Sequence, residues 1–216
     1  MIMALVAYLL FGMAPLNSEI IFWGILSGVL HGVYILCLSR AYSTADISYV
    51  YPIARSAPVF VPVFAWLVLD EHLHISTFLA IGFILTAIYI LHFEGKLIRG
   101  FVNLMRAFRH QDLRWAFYTL AMVVSYSLVD KKGMDSFLSH LPDQPLTNGV
   151  TFFFIEAVIG FALCNLYIFS TSPAKYIFQT WRKEWHKAML AGIATLGSYG
   201  LICVVLQFEA LSAIVS

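Results

Sequence analysis

Long uncharged apolar runs, separated by short clusters of Lys, Arg, Asp and Glu, restrict this chain to one kind of surrounding: most of its length has to lie in hydrocarbon. A soluble fold would intersperse its charges. Hydrophobic residues occupy 61% of the 216 positions and charged residues 12%, against roughly 25% charged in a soluble domain. An aqueous interior could not hide that much apolar surface, so the expected class is an all-α membrane protein of about seven transmembrane helices.

The apolar runs fall at 1–16, 20–38, 57–69, 77–93, 115–129, 149–170 and 187–208. A full crossing needs about 20 residues, so the third run is expected to begin earlier, near Tyr49, with Pro52 and Pro58 in its first turns or marking a break. The start lacks a basic n-region and a small-residue cleavage pattern, so the first run is expected to be retained. Segments after runs two, four and six carry eleven basic residues: Arg40, Arg55, Lys96, Arg99, Arg106, Arg109, Arg114, Lys175, Arg182, Lys183 and Lys187. The alternate segments carry only Lys131 and Lys132. Short cytoplasmic loops collect Lys and Arg, which puts the basic stretch 94–114 and Met1 inside and 17–19 outside. Phe101 to Arg114 reads either as an amphipathic helix along the anionic leaflet or as a plain loop.

The net charge of +1 and the scatter of basic residues between apolar runs give no sign of nucleic-acid binding. Cys37, Cys164 and Cys203 lack CxxC spacing and read as small packing residues. No GxSxG, HExxH or phosphate-cradling loop occurs, so an enzyme is not expected, and no cofactor is implied. A weak internal echo pairs Gly24-Ile25 and Gly32 with Gly192-Ile193 and Gly200, a pointer toward the inverted repeats of transporters.

Polar residues inside apolar runs are the candidates for chemistry. Ser27, His31 and Tyr34 share one face of the second run. His31 is either a structural histidine bonded to a neighbouring carbonyl or a proton carrier. Metal binding is not expected, because no second ligand follows it at helical spacing. Arg55, beside the proline-interrupted segment and Tyr51, either attracts an anionic or polar solute or anchors the span at the inner headgroups. Glu156 lies about seven residues into its run, where an acid costs roughly 2.5–3.5 kcal/mol on insertion scales. It reads as a coupling site or as a protonated acid contacting Asn165. Tyr126 and Tyr199, with Gln207, reach the depth of a solute pathway, whereas Asp130 beside Lys131-Lys132-Gly133 reads as an ordinary charged helix end.

The stretch SGVLHGVYILCLSRAYSTADISYVYPIARSAP, 27–58, resembles the third-helix region of EamA-type permeases of the drug/metabolite transporter superfamily, and WLVLDEHLHISTFLAIGFILTAIYIL, 66–91, is similar to the continuation of that repeat. YSLVDKKGM, 126–134, and LGSYGLICVVLQFEALSAIVS, 196–216, are similar to parts of the second repeat. In that family an acidic residue closes one helix and a Gly opens the next, here Glu71 and Gly82.

The resemblance implies two inverted five-helix repeats (5+5) around a central pathway, and a permease that moves a small metabolite or drug-like solute by alternating access with ion or proton coupling. Its layout is a first repeat at 1–93 without its first helix, a basic linker at 94–114, and a second repeat at 115–216 without its last two helices. Ten-helix members have both ends cytoplasmic, which would place 94–114 outside, against the local charge count. The expected pathway residues are His31, Tyr34, Tyr51, Arg55, Tyr126 and Tyr199, with Glu156 as the coupling candidate and Pro52, Pro58, Glu71 and Gly82 as structural motif. The expected partners are a small-molecule solute and the lipid bilayer, in a cell membrane of bacterial inner-membrane type. A homodimer that restores a pathway, and a truncated or non-transporting scaffold, stay open as alternatives.

Overall fold

Lipid offers the backbone no hydrogen-bond partners, so a chain of this composition has to close its polar groups within helices. The computed structural model, which describes residues 9, 12–71, 75, 78–83, 86 and 113–215, shows helices and no strand among them. The named elements are α1 (Ser18–Thr44), α2 (Ile47–Ala54), α3 (Ala57–Leu69), α4 (Arg114–His140), α5 (Pro145–Thr171), α6 (Ala174–Val205) and α7 (Leu211–Val215). Among the described residues, four stretches are long and apolar enough to cross a bilayer: Ser18–Thr44, Val50–Leu69, Pro145–Thr171 and Ala174–Val205. The chain is an integral membrane protein.

The expected runs at 20–38 and 149–170 fall inside α1 and α5, and the third run extends back to Val50. Most of the first run and most of the fourth lie outside the described residues, as does nearly all of 94–114, and residues 12–16 of the first run are not helical. Two helices outgrow their expected limits. The run expected at 187–208 belongs to α6, which begins at Ala174 and has 32 residues. At 1.5 Å per residue that is about 48 Å, longer than the roughly 30 Å hydrocarbon core, so the charged turns around Lys175 to Lys187 are helix rather than loop. Helix α4 runs to His140, well past the expected stop at Val129. Gly133 sits within the helix against the Phe152 ring, where a Cβ would clash. Lys131 is no lipid-surface charge: its Nζ donates to the Leu206 carbonyl at 2.9 Å and pairs with Asp135 at 2.8 Å.

The described residues fall into two units, within Met1–Val33 and Val129–Glu209, and within Tyr34–Leu128 and Ala210–Ser216. In the first, α1 meets α5 through Gly24, Gly28 and Gly32, spaced four apart on one face. A Cβ at Gly28 would stand 2.6 Å from Ile159 Cβ and 2.9 Å from the Glu156 carbonyl, and Gly160 faces Gly28 and Gly32 from the other side. This is the small-residue packing by which helices approach closely in lipid, where no hydrophobic force drives them together. Cys164 joins the same seam, its Sγ 3.7 Å from the Gly32 carbonyl. The echo at Gly200 has no such role, since nothing lies within 4 Å of a Cβ there. Polar clasps close the helix ends: Asn148 Nδ2 donates to the Leu141 carbonyl at 2.8 Å and to Gln207 Oε1 at 3.0 Å, and Gln207 Nε2 donates to the Pro145 carbonyl at 2.8 Å. Gln207 is therefore engaged in holding chain ends.

In the second unit, Ala41, Val50, Ile53, Leu113 and Ala116 form a buried core flanked by Ala45, Trp115 and Phe117. The break between α2 and α3 falls at Arg55-Ser56. Pro58 lacks an N–H for the Ala54 carbonyl, and near the first turn of α3 it needs no such partner, so the chain restarts as a new helix there. Ser56 covers the break locally, its Oγ donating to the Ile53 carbonyl at 2.7 Å. Pro52 lies inside α2. Helix α3 ends with Asp70 in the left-handed region (φ 53°), and Glu71 Oε1 accepts the Leu211 N–H at 2.7 Å, tying α7 to that corner. Gly82 falls among the described helical residues 78–83, with nothing within 4 Å of a Cβ.

Candidate functional site

Three helices of the first unit each carry one ionisable side chain to the same place. Ser27 and His31 are one turn apart on α1, Asp130 projects from α4 and Glu156 from α5; Tyr199 of α6 closes the group. Ser27 and Asp130 are fully buried and Glu156 is 5% exposed. One ligand-type atom from each of His31, Asp130 and Glu156 lies within 4.8 Å of the others.

The hydrogen bonds fix the roles of these atoms. Ser27 Oγ donates to Asp130 Oδ1 at 2.5 Å, and Tyr199 Oη donates to Asp130 Oδ2. Both Asp130 oxygens therefore accept, as a carboxylate does. His31 Nδ1 lies 3.1 Å from the Ser27 carbonyl and 3.2 Å from Ser27 Oγ. A carbonyl can only accept, and the single Ser27 hydroxyl proton is spent on Asp130, so Nδ1 is the donor. That leaves His31 Nε2 turned toward Glu156 Oε1, 3.3 Å away. Glu156 Oε2 is buried with no hydrogen-bond partner. The His31 and Tyr199 rings meet edge to face with centroids 5.1 Å apart, and Phe153 lies against Tyr199 at 6.4 Å.

No Lys or Arg among the described residues pairs with either carboxylate, and Lys131, next to Asp130 in sequence, is committed to Leu206 and Asp135. Two acids so placed in a membrane helix bundle are costly, and such groups mark ion or substrate pathways. Tyr199→Phe, which deletes one donor to Asp130 and keeps the ring, is expected to lower stability by on the order of 1 kcal/mol in a detergent unfolding titration.

Of the expected pathway residues, His31 and Tyr199 thus join Glu156. The contact imagined between Glu156 and Asn165 does not form; Asn165 Nδ2 bonds its own helix at the Phe161 carbonyl, 2.8 Å away, and Glu156 faces His31 instead. In the second unit the Tyr34 and Tyr126 rings meet edge to face at 5.6 Å, and the Arg55 guanidinium stands 5.7 Å from the centre of the Tyr51 ring. Asp130, which reads from the sequence as an ordinary charged helix end, is instead a buried member of this group. Its proximity to two lysines and a glycine disguised a buried acid; the available signal was its spacing four after Tyr126 on a run otherwise free of charge up to that point.

With this geometry established, comparison with known proteins adds one match: the model of the EamA-like transporter family covers residues 1–93. That match is consistent with an EamA-type permease of the drug/metabolite transporter superfamily. No curated protein and no solved structure matches the chain.

Proposed function

We propose, taking as premise that residues 1–93 carry the sequence pattern of EamA-like transporters, that this protein moves a small metabolite or drug-like solute across its membrane by alternating access. The observation that carries the reading is the buried His31, Asp130 and Glu156 group, because acids within membrane helices are costly and mark ion or solute pathways. Two repeats, 1–93 and 115–216, joined by the basic stretch 94–114 on the cytoplasmic side, would rock about the pathway. Glu156 couples solute movement to an ion or proton gradient, with His31 as its partner. Tyr34, Tyr51, Arg55 and Tyr126 serve the solute, Arg55 by attracting an anionic or polar group.

The test is uptake of a panel of small solutes into proteoliposomes of the purified protein, against empty liposomes. Transport of at least one solute supports the reading; none above background across the panel favours the alternative, a membrane scaffold whose polar face serves helix contacts. Arg55→Lys separates the two roles of that residue. The planar guanidinium matches carboxylate or phosphate in a way the ammonium does not, so the substitution is expected to raise KM several-fold. An unchanged KM would reassign Arg55 to anchoring the span at the headgroups.

A further inference from the structure

The same buried group has the construction of a metal site, and we infer that His31 Nε2, Asp130 and Glu156 bind one divalent first-row transition-metal ion, of the Zn²⁺ class, inside the helix bundle. This stands apart from the transport reading, because it is a statement about binding and needs no flux.

Four observations carry it. The first is ligand type: one imidazole nitrogen and two carboxylates is a donor set that suits Zn²⁺, Co²⁺ or Mn²⁺. The second is distance. Ligands about 2.1 Å from a tetrahedral ion stand about 3.4 Å apart, and His31 Nε2 and Glu156 Oε1 are 3.3 Å apart, with all three ligand atoms within 4.8 Å of one another.

The third is the support around the ligands. A metal-binding histidine usually gives its other ring N–H to a carbonyl or carboxylate, and ligating carboxylates are themselves hydrogen-bonded. His31 Nδ1 donates to the Ser27 carbonyl, and Asp130 accepts from Ser27 Oγ and Tyr199 Oη. Both residues are thus held in place by hydrogen bonds, His31 through the ring nitrogen on the side away from Glu156. The fourth is unmet demand: Glu156 Oε2, on a side chain only 6% exposed, has no hydrogen-bond partner. With no Lys or Arg paired to either acid among the described residues, an ion of charge +2 would cancel two carboxylates while the imidazole stays neutral. Three protein ligands leave a position for water or another donor, as in zinc sites that exchange ligands.

The test uses the full chain, purified in detergent, stripped with chelator, and titrated with Zn²⁺ by calorimetry, with metal content after dialysis measured by mass spectrometry. One tightly held Zn²⁺ per chain is expected, with Mg²⁺ failing to compete because it disfavours imidazole. Co²⁺ serves as an optical probe, its visible bands expected to shift from those of the aqueous ion and to disappear on addition of Zn²⁺. Glu156→Gln, Asp130→Asn and His31→Gln should each weaken Zn²⁺ by more than the roughly 10–100-fold expected for Tyr199→Phe, which touches only the support of Asp130.

The inference is overturned if the wild-type chain retains no stoichiometric Zn²⁺, or if the three ligand variants, monodisperse and helical by circular dichroism, bind as the wild type does, which would assign the metal to other histidines. Should a ligand variant not fold, the wild-type stoichiometry, the Co²⁺ spectrum and the milder Tyr199→Phe still decide. Solute uptake measured in parallel keeps this outcome separate: metal may bind a chain that moves no solute, and a transporting chain may bind no metal.

Discussion

Replacing Glu156 with Gln is expected to abolish solute accumulation driven by a proton or cation gradient in proteoliposomes, while passive exchange of the same solute across the membrane persists. Gln keeps the length and shape of the side chain, so the seam between α1 and α5 has no steric reason to open. What is lost is the ionisable carboxyl group that faces His31 Nε2 at 3.3 Å beside Asp130. A coupling residue has to exchange one positive charge for another as the protein changes its facing, and an amide cannot do so. An acid at such depth also costs roughly 2.5–3.5 kcal/mol on insertion scales, so Gln at this place should hold or raise the thermal stability of the detergent-solubilised protein. Accumulation equal to that of the wild type would remove Glu156 from the coupling role and leave it a packing residue.

A second large effect is expected at Gly28. Leu at this position would set a Cβ 2.6 Å from Ile159 Cβ and 2.9 Å from the Glu156 carbonyl, so α1 and α5 would have to separate. Overpacking of this kind costs about 3 kcal/mol, and here it also pulls Ser27 and His31 away from Asp130 and Glu156. The expected result is a marked loss of stability in a denaturant titration together with loss of transport. Gly200→Leu is the matched control. Nothing lies within 4 Å of a Cβ there, so its effect should stay within about 0.5 kcal/mol. Equal losses at the two positions would mean that the α1–α5 seam is not the tight contact described.

Much of the helical architecture is legible in the sequence because hydrocarbon is an unforgiving solvent: apolar runs of sufficient length read directly as α1, α5 and the Val50–Leu69 stretch, and Pro58 marks the break at Arg55-Ser56. Helix ends were harder. Charged residues look like the limits of α4 and α6, but a helix that leaves lipid can continue in water, and a charge can be met by the protein itself, as Lys131 is by the Leu206 carbonyl. Gly133 within α4 fits the same picture, since glycine in a membrane helix permits close approach of a neighbour.

The candidate site divides in the same way. His31, Tyr199 and Glu156 stand out singly as polar residues in apolar runs, and Ser27 shares the His31 face by simple helical spacing. Their convergence with Asp130 could not be read, because periodicity reports one helix at a time and this group draws one member from each of four helices. A metal-ligand set sought within a single span is invisible for the same reason. The four-residue spacing of Gly24, Gly28 and Gly32 was a legible signal for how α1 would pack, and it determines which α1 residues reach Glu156.

Whether these polar groups turn inward, away from lipid, is measured most directly by photolabelling the reconstituted protein with a phospholipid carrying a diazirine on its acyl chain, followed by residue-level mass spectrometry. Adducts are expected on outward side chains such as Leu166, Leu190 and Leu201, which are 75%, 67% and 62% exposed, with none on Ser27, His31, Asp130 or Glu156. Carbene and diazo intermediates react readily with carboxyl groups, so an acid in contact with acyl chains would not escape detection. Adducts on Glu156 or Asp130 at the level of Leu166 would contradict the buried group and every role assigned to it.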